Sequence, residues 1–414
     1  MLGRKTSRAL GAVAGCTLLA AGAGCGSGSD SAAGSGGGGG GSSSSPIKVG
    51  VVTPSSGPLV ELGSSILKGW EYAAAEMNAH GGMDGHKLEI VKNVTDGTPA
   101  VSTRAARAAV SKGAKVITGM VTSAEVGATQ AQLAGMGALY LNTSGSDAAL
   151  TGDNCSSRAF HFIPSTSSQV EGVGSMAGTL PAKKYALILY DYSTGHTAAA
   201  AITKAVKAAG AQVVKTVYVP IATTDFGSAI TQIKSSGADG MFGMISGSGS
   251  STFLTQAKQF GLLGQLKVRM GYSMVSDINW DGIGQPAAGF YDSQIYDVKA
   301  DNPANAAFVK GFEAKYGREP NYDEANAYLA AEVLRDAVAK AHSTAPDALR
   351  SALTGGTFDD TIMGATKFNA SNTLERPWYV GQVKAKPGGG FEWKVVKSLD
   401  PANVVPAGTG ACSK

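Results

Sequence analysis

The sequence predicts an α/β fold of two lobes, each a doubly wound parallel sheet clothed in helices. Three observations point there. Residues 47–79 read as a strand, a Gly- and Ser-rich loop and a helix. The same alternation then recurs in two consecutive rounds, which is the pattern of parallel sheets with helical crossovers. With 414 residues the chain is long enough for two well-filled cores.

In the first round, residues 47–53 are β-branched and stop at Pro54, as a buried strand does at a loop. From Ser64, Ile66, Trp70, Ala73, Ala74 and Met77 recur at helical spacing until Gly81-Gly82. Trp70 fits the helix core. Residues 86–94 read as a second strand, and Thr98-Pro99 opens a helix to about residue 112. Residues 115–119 form a third strand, followed by a helix ending near Gly137, and 138–142 form a fourth before the polar loop 143–157.

The second round starts with a short extended segment, 159–164, where His161 alternates with Phe160 and Phe162, and a helix from about 168 to 180. Strand 185–190 leads through loop 191–196 to a helix ending at 209, and strand 212–219 precedes a helix that Thr224-Asp225 caps. Strand 240–245, loop 246–251, a helix to 259 and the segment 267–271 complete it. Beyond lie an extended segment, 289–296, helices at 304–316, 323–341 and 346–353, a segment at 368–373, and a β-hairpin, 378–385 with 392–397. These late helices need a surface to pack on, and the first lobe has fewer elements of its own.

The front of the chain lies outside this pattern. Arg4, Lys5 and Arg8 precede a short apolar stretch broken by glycines, and Cys25 follows Ala23-Gly24. This resembles a bacterial lipoprotein signal, with Cys25 as the lipidated first residue. Cys16, after Val13-Ala14-Gly15, fits the residue preference better but leaves almost no apolar segment ahead of it. Residues 26–45 are nearly all Gly, Ser and Ala, the composition of a flexible tether. Export and a lipid anchor on the outer face of the cytoplasmic membrane are expected. Outside the cytoplasm the two remaining cysteines, Cys155 and Cys412, read as a disulfide, with unpaired thiols as the alternative. Charged residues make up 16% and net charge is +4, too dilute for nucleic acid, and no basic stripe interleaves with aromatics.

Ser55-Ser56-Gly57-Pro58, the helix 63–77, His80-Gly81-Gly82, Gly85-His86-Lys87, Asp225-Phe226 and Gly311-Phe312 through Tyr316 together resemble the leucine/isoleucine/valine-type solute-binding proteins of ABC importers. The resemblance spans about 47–385. It implies the type I periplasmic binding protein fold: two lobes joined by a three-crossing hinge, closing on a small molecule. The implied first lobe is 46–164 plus 297–369, the second 165–296 plus 370–405, with a tail at 406–414. The crossings fall near 163–165, 295–297 and 369–376. One branch of the family also pairs cysteines placed like Cys155 and Cys412. The implied partners are a small-molecule ligand and a membrane permease, with the protein acting as a monomer and no cofactor.

The resemblance puts the ligand where strand ends meet loops, the usual place in open α/β sheets. The first lobe offers Ser56, Leu59 and Leu62, then Thr122 and Ser123 at a helix start, then Ser144 and Ser146. The family residues matching Ser123, Ser144 and Ser146 hold a carboxylate, although each serine is also an ordinary cap or turn former. The second lobe offers Tyr192, Thr194, Ser246, Gly247, Tyr272 and Ser273. Amino-acid binders place an acid at the position of Ser273 and an aromatic at that of Thr194. Ser273 cannot neutralise an ammonium in a closed cleft. Asp191, Asp277 and Glu61 are the substitutes in reach, and an aromatic or aliphatic acid without an ammonium is an equal expectation.

His196 reads as a solvated first-turn residue rather than a ligand contact. Gly247-Ser248-Gly249 lacks the third glycine and downstream acid of a dinucleotide loop. No G-x-S-x-G elbow occurs, and the five histidines show no metal-ligand spacing, so neither an enzyme nor a metal site is expected. A sensing module for a membrane receptor or kinase shares the fold and is the rival to transport.

Overall fold

A computed structural model describes residues 45–399 and Cys412. Cys25, Cys16, the tether up to residue 44 and residues 400–411 lie outside the described residues.

Strand β1 (Ile47–Pro54) is buried almost throughout and lies inside a parallel sheet, one strand from its edge. It feeds α1 (Val60–Ala79), and β2 (Leu88–Thr95) returns beside it with Ile47 opposite Leu88. Next come α2 (Pro99–Ser111), β3 (Val116–Thr118), α3 (Ser123–Gln130), α4 (Leu133–Met136), β4 (Leu139–Asn142) and β5 (Ala159–His161). The sheet order is β2-β1-β3-β4-β5. The sequence suggested one helix up to Gly137, whereas the structure has two. The end of α3 is tied down where Gln130 Nε2 donates to the carbonyls of Leu150 and Asn154.

The second sheet is built from α5 (Thr166–Gly174), β6 (Lys184–Tyr190), α6 (Ser193–Ala208), β7 (Gln212–Val219), α7 (Gly227–Ser235), β8 (Gly240–Met244), α8 (Ser248–Gln259), β9 (Val268–Gly271), α9 (Trp280–Ile283) and β10 (Tyr291–Gln294). Helix α6 begins inside the stretch expected to be loop. Gly195 permits it, since a Cβ there would stand 2.0 Å from the Tyr190 carbonyl.

The chain then returns to the first sheet with α10 (Pro303–Tyr316), α11 (Tyr322–Ala341) and α12 (Pro346–Leu353). Gly69 of α1 lies against the backbone of Glu324, where a Cβ would come within 2.4 Å of the carbonyl oxygen. The late helices thus share a core with β1 and α1. Trp70 is fully buried there, and Phe308 stacks on Tyr328 at 4.4 Å. Strands β11 (Thr357–Phe358), β12 (Thr366–Phe368) and β13 (Leu374–Glu375) make a small antiparallel sheet that sequence patterning did not reveal, because strands of two or three residues show no period. The hairpin of β14 (Trp378–Ala385) and β15 (Phe391–Leu399) joins the second sheet antiparallel to β10, giving the order β15-β14-β10-β9-β8-β6-β7. The chain therefore passes between the sheets three times: after β5, after β10 and after β13. Cys155 and Cys412 are disulfide-bonded, with Cα atoms 5.5 Å apart.

Candidate functional site

Loops at the strand ends of both sheets meet around a small internal cavity of about 40 Å³. The first-sheet side contributes Leu62, Ser144, Tyr322 and Asp323, the second-sheet side Gln169, Tyr272, Ser273, Ser276 and Ser293. Ile163 and Ile295, on the first two passages between the sheets, close its base.

Local chemistry fixes each wall. Asn142, at the end of β4, accepts the backbone N–H of Gly145 at 3.0 Å and donates to the Gly145 carbonyl, which holds the turn carrying Ser144 and Ser146. The Asn142 amide also donates to His161 Nδ1 at 2.9 Å, so this buried imidazole is held neutral, its pKa pushed down to about 4 by burial. Across the gap, Ser146 Oγ lies 3.0 Å from the Tyr272 hydroxyl and 2.6 Å from Thr166 Oγ1. Gln169 Nε2 donates to the same Tyr272 oxygen at 3.2 Å.

Ser273 takes a left-handed backbone conformation, φ +54°. That turn aims successive N–H groups of Ser273, Met274 and Val275 at the Asp292 carboxylate, each at 3.0 Å, and Ser293 N donates to it at 2.7 Å. Burial pushes the pKa of Asp292 up to about 7 while the four donors pull it down. Four N–H groups on two oxygens leave no acceptor for a carboxyl proton. Ser273 and Tyr322 both line the cavity.

Asp323 is the acid in the cavity wall. It is 2% exposed, its Oδ2 has no hydrogen-bond partner among the described residues, and its pKa is pushed well above its ordinary value by burial and then by the charges of Asp277 and Glu324. Its neighbour Glu324 is satisfied by Arg318, Nη1 donating to Oε2 at 2.8 Å, and by the Asn321 backbone N–H. Asp323 therefore presents an unspent hydrogen-bonding group to the cavity. Sequence reading passed over it, because an acid in the first turn of a helix is ordinary cap chemistry. Of the substitutes weighed for an ammonium partner, Glu61 and Asp277 face an outer groove, and Asp191 pairs with His196 at 2.9 Å.

The structure gathers Leu62, Ser144, Tyr272 and Ser273 at the cavity, with Ser146 one bond away. The remaining sequence-derived residues do not line the cavity. Thr122 caps α3 in a capping box with Glu125. Ser123 Oγ accepts the N–H groups of Ser146 and Asp147, both at 3.0 Å. Thr194 Oγ1 donates to Asp147 Oδ2 at 3.2 Å across the gap. Gly247, at φ +61°, sits so near the Pro58 carbonyl that a Cβ would stand 2.0 Å away, with Leu59 beside it. The Ser246 carbonyl accepts the Tyr190 hydroxyl at 3.1 Å. Tyr192 packs among the second-sheet cores, and Ser56 is exposed. With these contacts made, the two halves are closed on each other.

A family profile described as periplasmic binding protein matches residues 46–389. The chain is 28% identical over 359 residues to Leu/Ile/Val-binding protein homolog 7 of Brucella abortus, covering 81% of this chain and 88% of that one. Its fold resembles an ABC transporter solute-binding protein from R. palustris in complex with 4-hydroxybenzoate, with a TM-score of 0.78 and 23% identity over 86% of this chain and 97% of the other. It also resembles the closed leucine-, isoleucine-, valine-, threonine- and alanine-binding protein of Brucella ovis, with a TM-score of 0.77 and 20% identity over 89% and 98% of the two chains. Two sheets crossed three times by the chain, a cavity between them and a family match over most of the length agree: this chain is a member of the periplasmic binding protein family.

Proposed function

We propose that the protein is the extracytoplasmic solute-binding component of an ABC importer, held to the membrane through a lipid on Cys25 and acting as a monomer rather than a catalyst. The two lobes, 46–164 with 297–369 and 165–296 with 370–405, open to admit a small carboxylate-bearing solute and close on it. The closed form then docks on a permease. Ligand binding shifts an equilibrium between open and closed forms by its differential affinity for the two.

The observation that carries this reading is the cavity walled by both halves and lined by a buried, unpartnered carboxyl, Asp323. The carboxylate of the solute lies against the Ser144 loop, and a second group, an ammonium or a hydroxyl, meets Asp323. An ammonium draws the carboxyl into its charged form, whereas a hydroxyl donates to it. The relatives favour the same range, being associated by name with branched-chain amino acids and with 4-hydroxybenzoate.

The test is a thermal-shift screen of the purified protein against amino acids, hydroxy acids and the matching acids that lack either donor. Ligand at about 100 times its Kd stabilises a fold by roughly 2.7 kcal/mol. Amino or hydroxy acids are expected to raise Tm, and the donor-free acids to do little. Equal shifts from benzoate and 4-hydroxybenzoate, or from leucine and 4-methylpentanoate, contradict the role given to Asp323.

A further inference from the structure

The chain leaving the second sheet has two sides, and only one looks into the inner cavity. Along residues 293–296 successive side chains point to opposite faces, as an extended chain dictates. Ser293 and Ile295 line the inner cavity, while Gln294 and Tyr296 line a separate outer groove of about 780 Å³. The loop after β9 divides the same way, with Ser276 inward and Asp277 outward. One layer of residues separates the two spaces.

Three features of the outer groove point to a ligand. Gln294 forms part of its wall, is 3% exposed, and has neither its amide oxygen nor its amide nitrogen paired among the described residues. A buried amide with both ends unspent is poised for a polar partner. Among the described residues the lining is also acidic: seven carboxylate side chains against three cations. Two of those cations are already engaged, Lys299 with Glu392, itself one of the seven, at 2.7 Å and Arg318 with Glu324 outside the lining. Finally, Trp280 stands 6.0 Å from Trp393 and 6.2 Å from Phe391, all three on the groove. Aromatic faces beside carboxylates are the surroundings that organic ammonium groups take.

We propose that the outer groove is a second binding site, for a small organic cation of the alkylammonium or quaternary ammonium class. Its charge meets the acidic lining and the faces of Trp280 and Trp393, and its polar end engages Gln294. The volume is that of a small-molecule site. Because Glu61 and Glu319 come from the first-sheet side and Asp281 and Trp393 from the second, an occupant ties the two halves together.

The proposal is tested without any solute for the inner cavity. The purified protein is titrated with tetramethylammonium, choline and putrescine, and with neutral 1,4-butanediol, at constant ionic strength, and tryptophan fluorescence is followed. Trp70 and Trp378 are fully buried, so a groove ligand is read by Trp280 and Trp393. The expected result is a saturable change with at least one cation at an apparent Kd near or below about 1 mM, and none with the diol. An Asp281→Asn/Glu319→Gln double variant, its Tm checked for intact folding, is expected to weaken that binding about tenfold. No saturable response to any of the cations by about 20 mM, an equal response to the diol, or an unchanged response in the double variant overturns it.

Discussion

Ser146 Oγ and the Tyr272 hydroxyl lie 3.0 Å apart, joining residues 126 positions distant in sequence and belonging to different sheets. Both take part in wider bonding, Ser146 to Thr166 and Tyr272 to Gln169. This bond exists only when the halves are together. Tyr272→Phe removes the Ser146 bond from the closed state and the Gln169 bond from open and closed states alike, each worth about 1 kcal/mol. Solute affinity is expected to fall about five- to tenfold and the Tm of the solute-free protein to drop modestly, as measured by titration calorimetry and thermal melting.

Ser273 and Asp292 make a second such pair within one half. Ser273→Gly relieves the left-handed backbone at φ +54° and is expected to raise stability by about 0.5 to 1 kcal/mol while weakening solute binding through the lost hydroxyl. Asp292→Ala leaves four backbone N–H groups without their acceptor and is expected to cost about 3 kcal/mol or more. Chemical denaturation measures both, and a destabilised Ser273→Gly contradicts the strain assigned there.

Glu332 is 4% exposed and accepts the Ile362 N–H at 2.9 Å, and burial raises its pKa from 4.5 to about 8. The folded state keeps a proton that the unfolded chain releases, so stability is fullest below about 4.5 and falls as pH rises towards 8. The loss amounts to a few kcal/mol, on the order of 1.4 kcal/mol per pKa unit. Asp277, pushed to about 7 by burial, adds to the same slope. Glu332→Gln is expected to flatten it in part. On the acid side His161, lowered from 6.5 to about 4, makes stability fall as pH drops through that interval. Denaturation midpoints from pH 4 to 9 check both signs.

The Cys155–Cys412 bond closes a loop across a sequence separation of 257. Its reduction is expected to destabilise the fold by about 2 to 5 kcal/mol. Non-reducing peptide mapping checks the pairing, and melting with and without reductant checks the cost.

Long-period features were legible in the sequence. The apolar spacing of α1, the Pro-initiated α12 and the alternation that set up two sheets all follow from local pattern, and so does the hairpin of β14 and β15. Burial created by remote segments was not legible. Asp323 is a routine first-turn acid until the chain from the second sheet brings Tyr272 and Ser293 over it. Ser273 was legible as a position, but its left-handed turn depends on Asp292, nineteen residues on. Gln294 and Ser293 differ in role only because the strand carrying them separates two spaces.

Capture of a solute against Asp323 is tested by the Kd of a screened solute for the wild type and for Asp323→Asn, together with the Tm of each without solute. A loss of about tenfold or more in affinity is expected, with a solute-free Tm that stays level or rises, because a buried unpaired acid has been removed. Unchanged affinity in Asp323→Asn contradicts it.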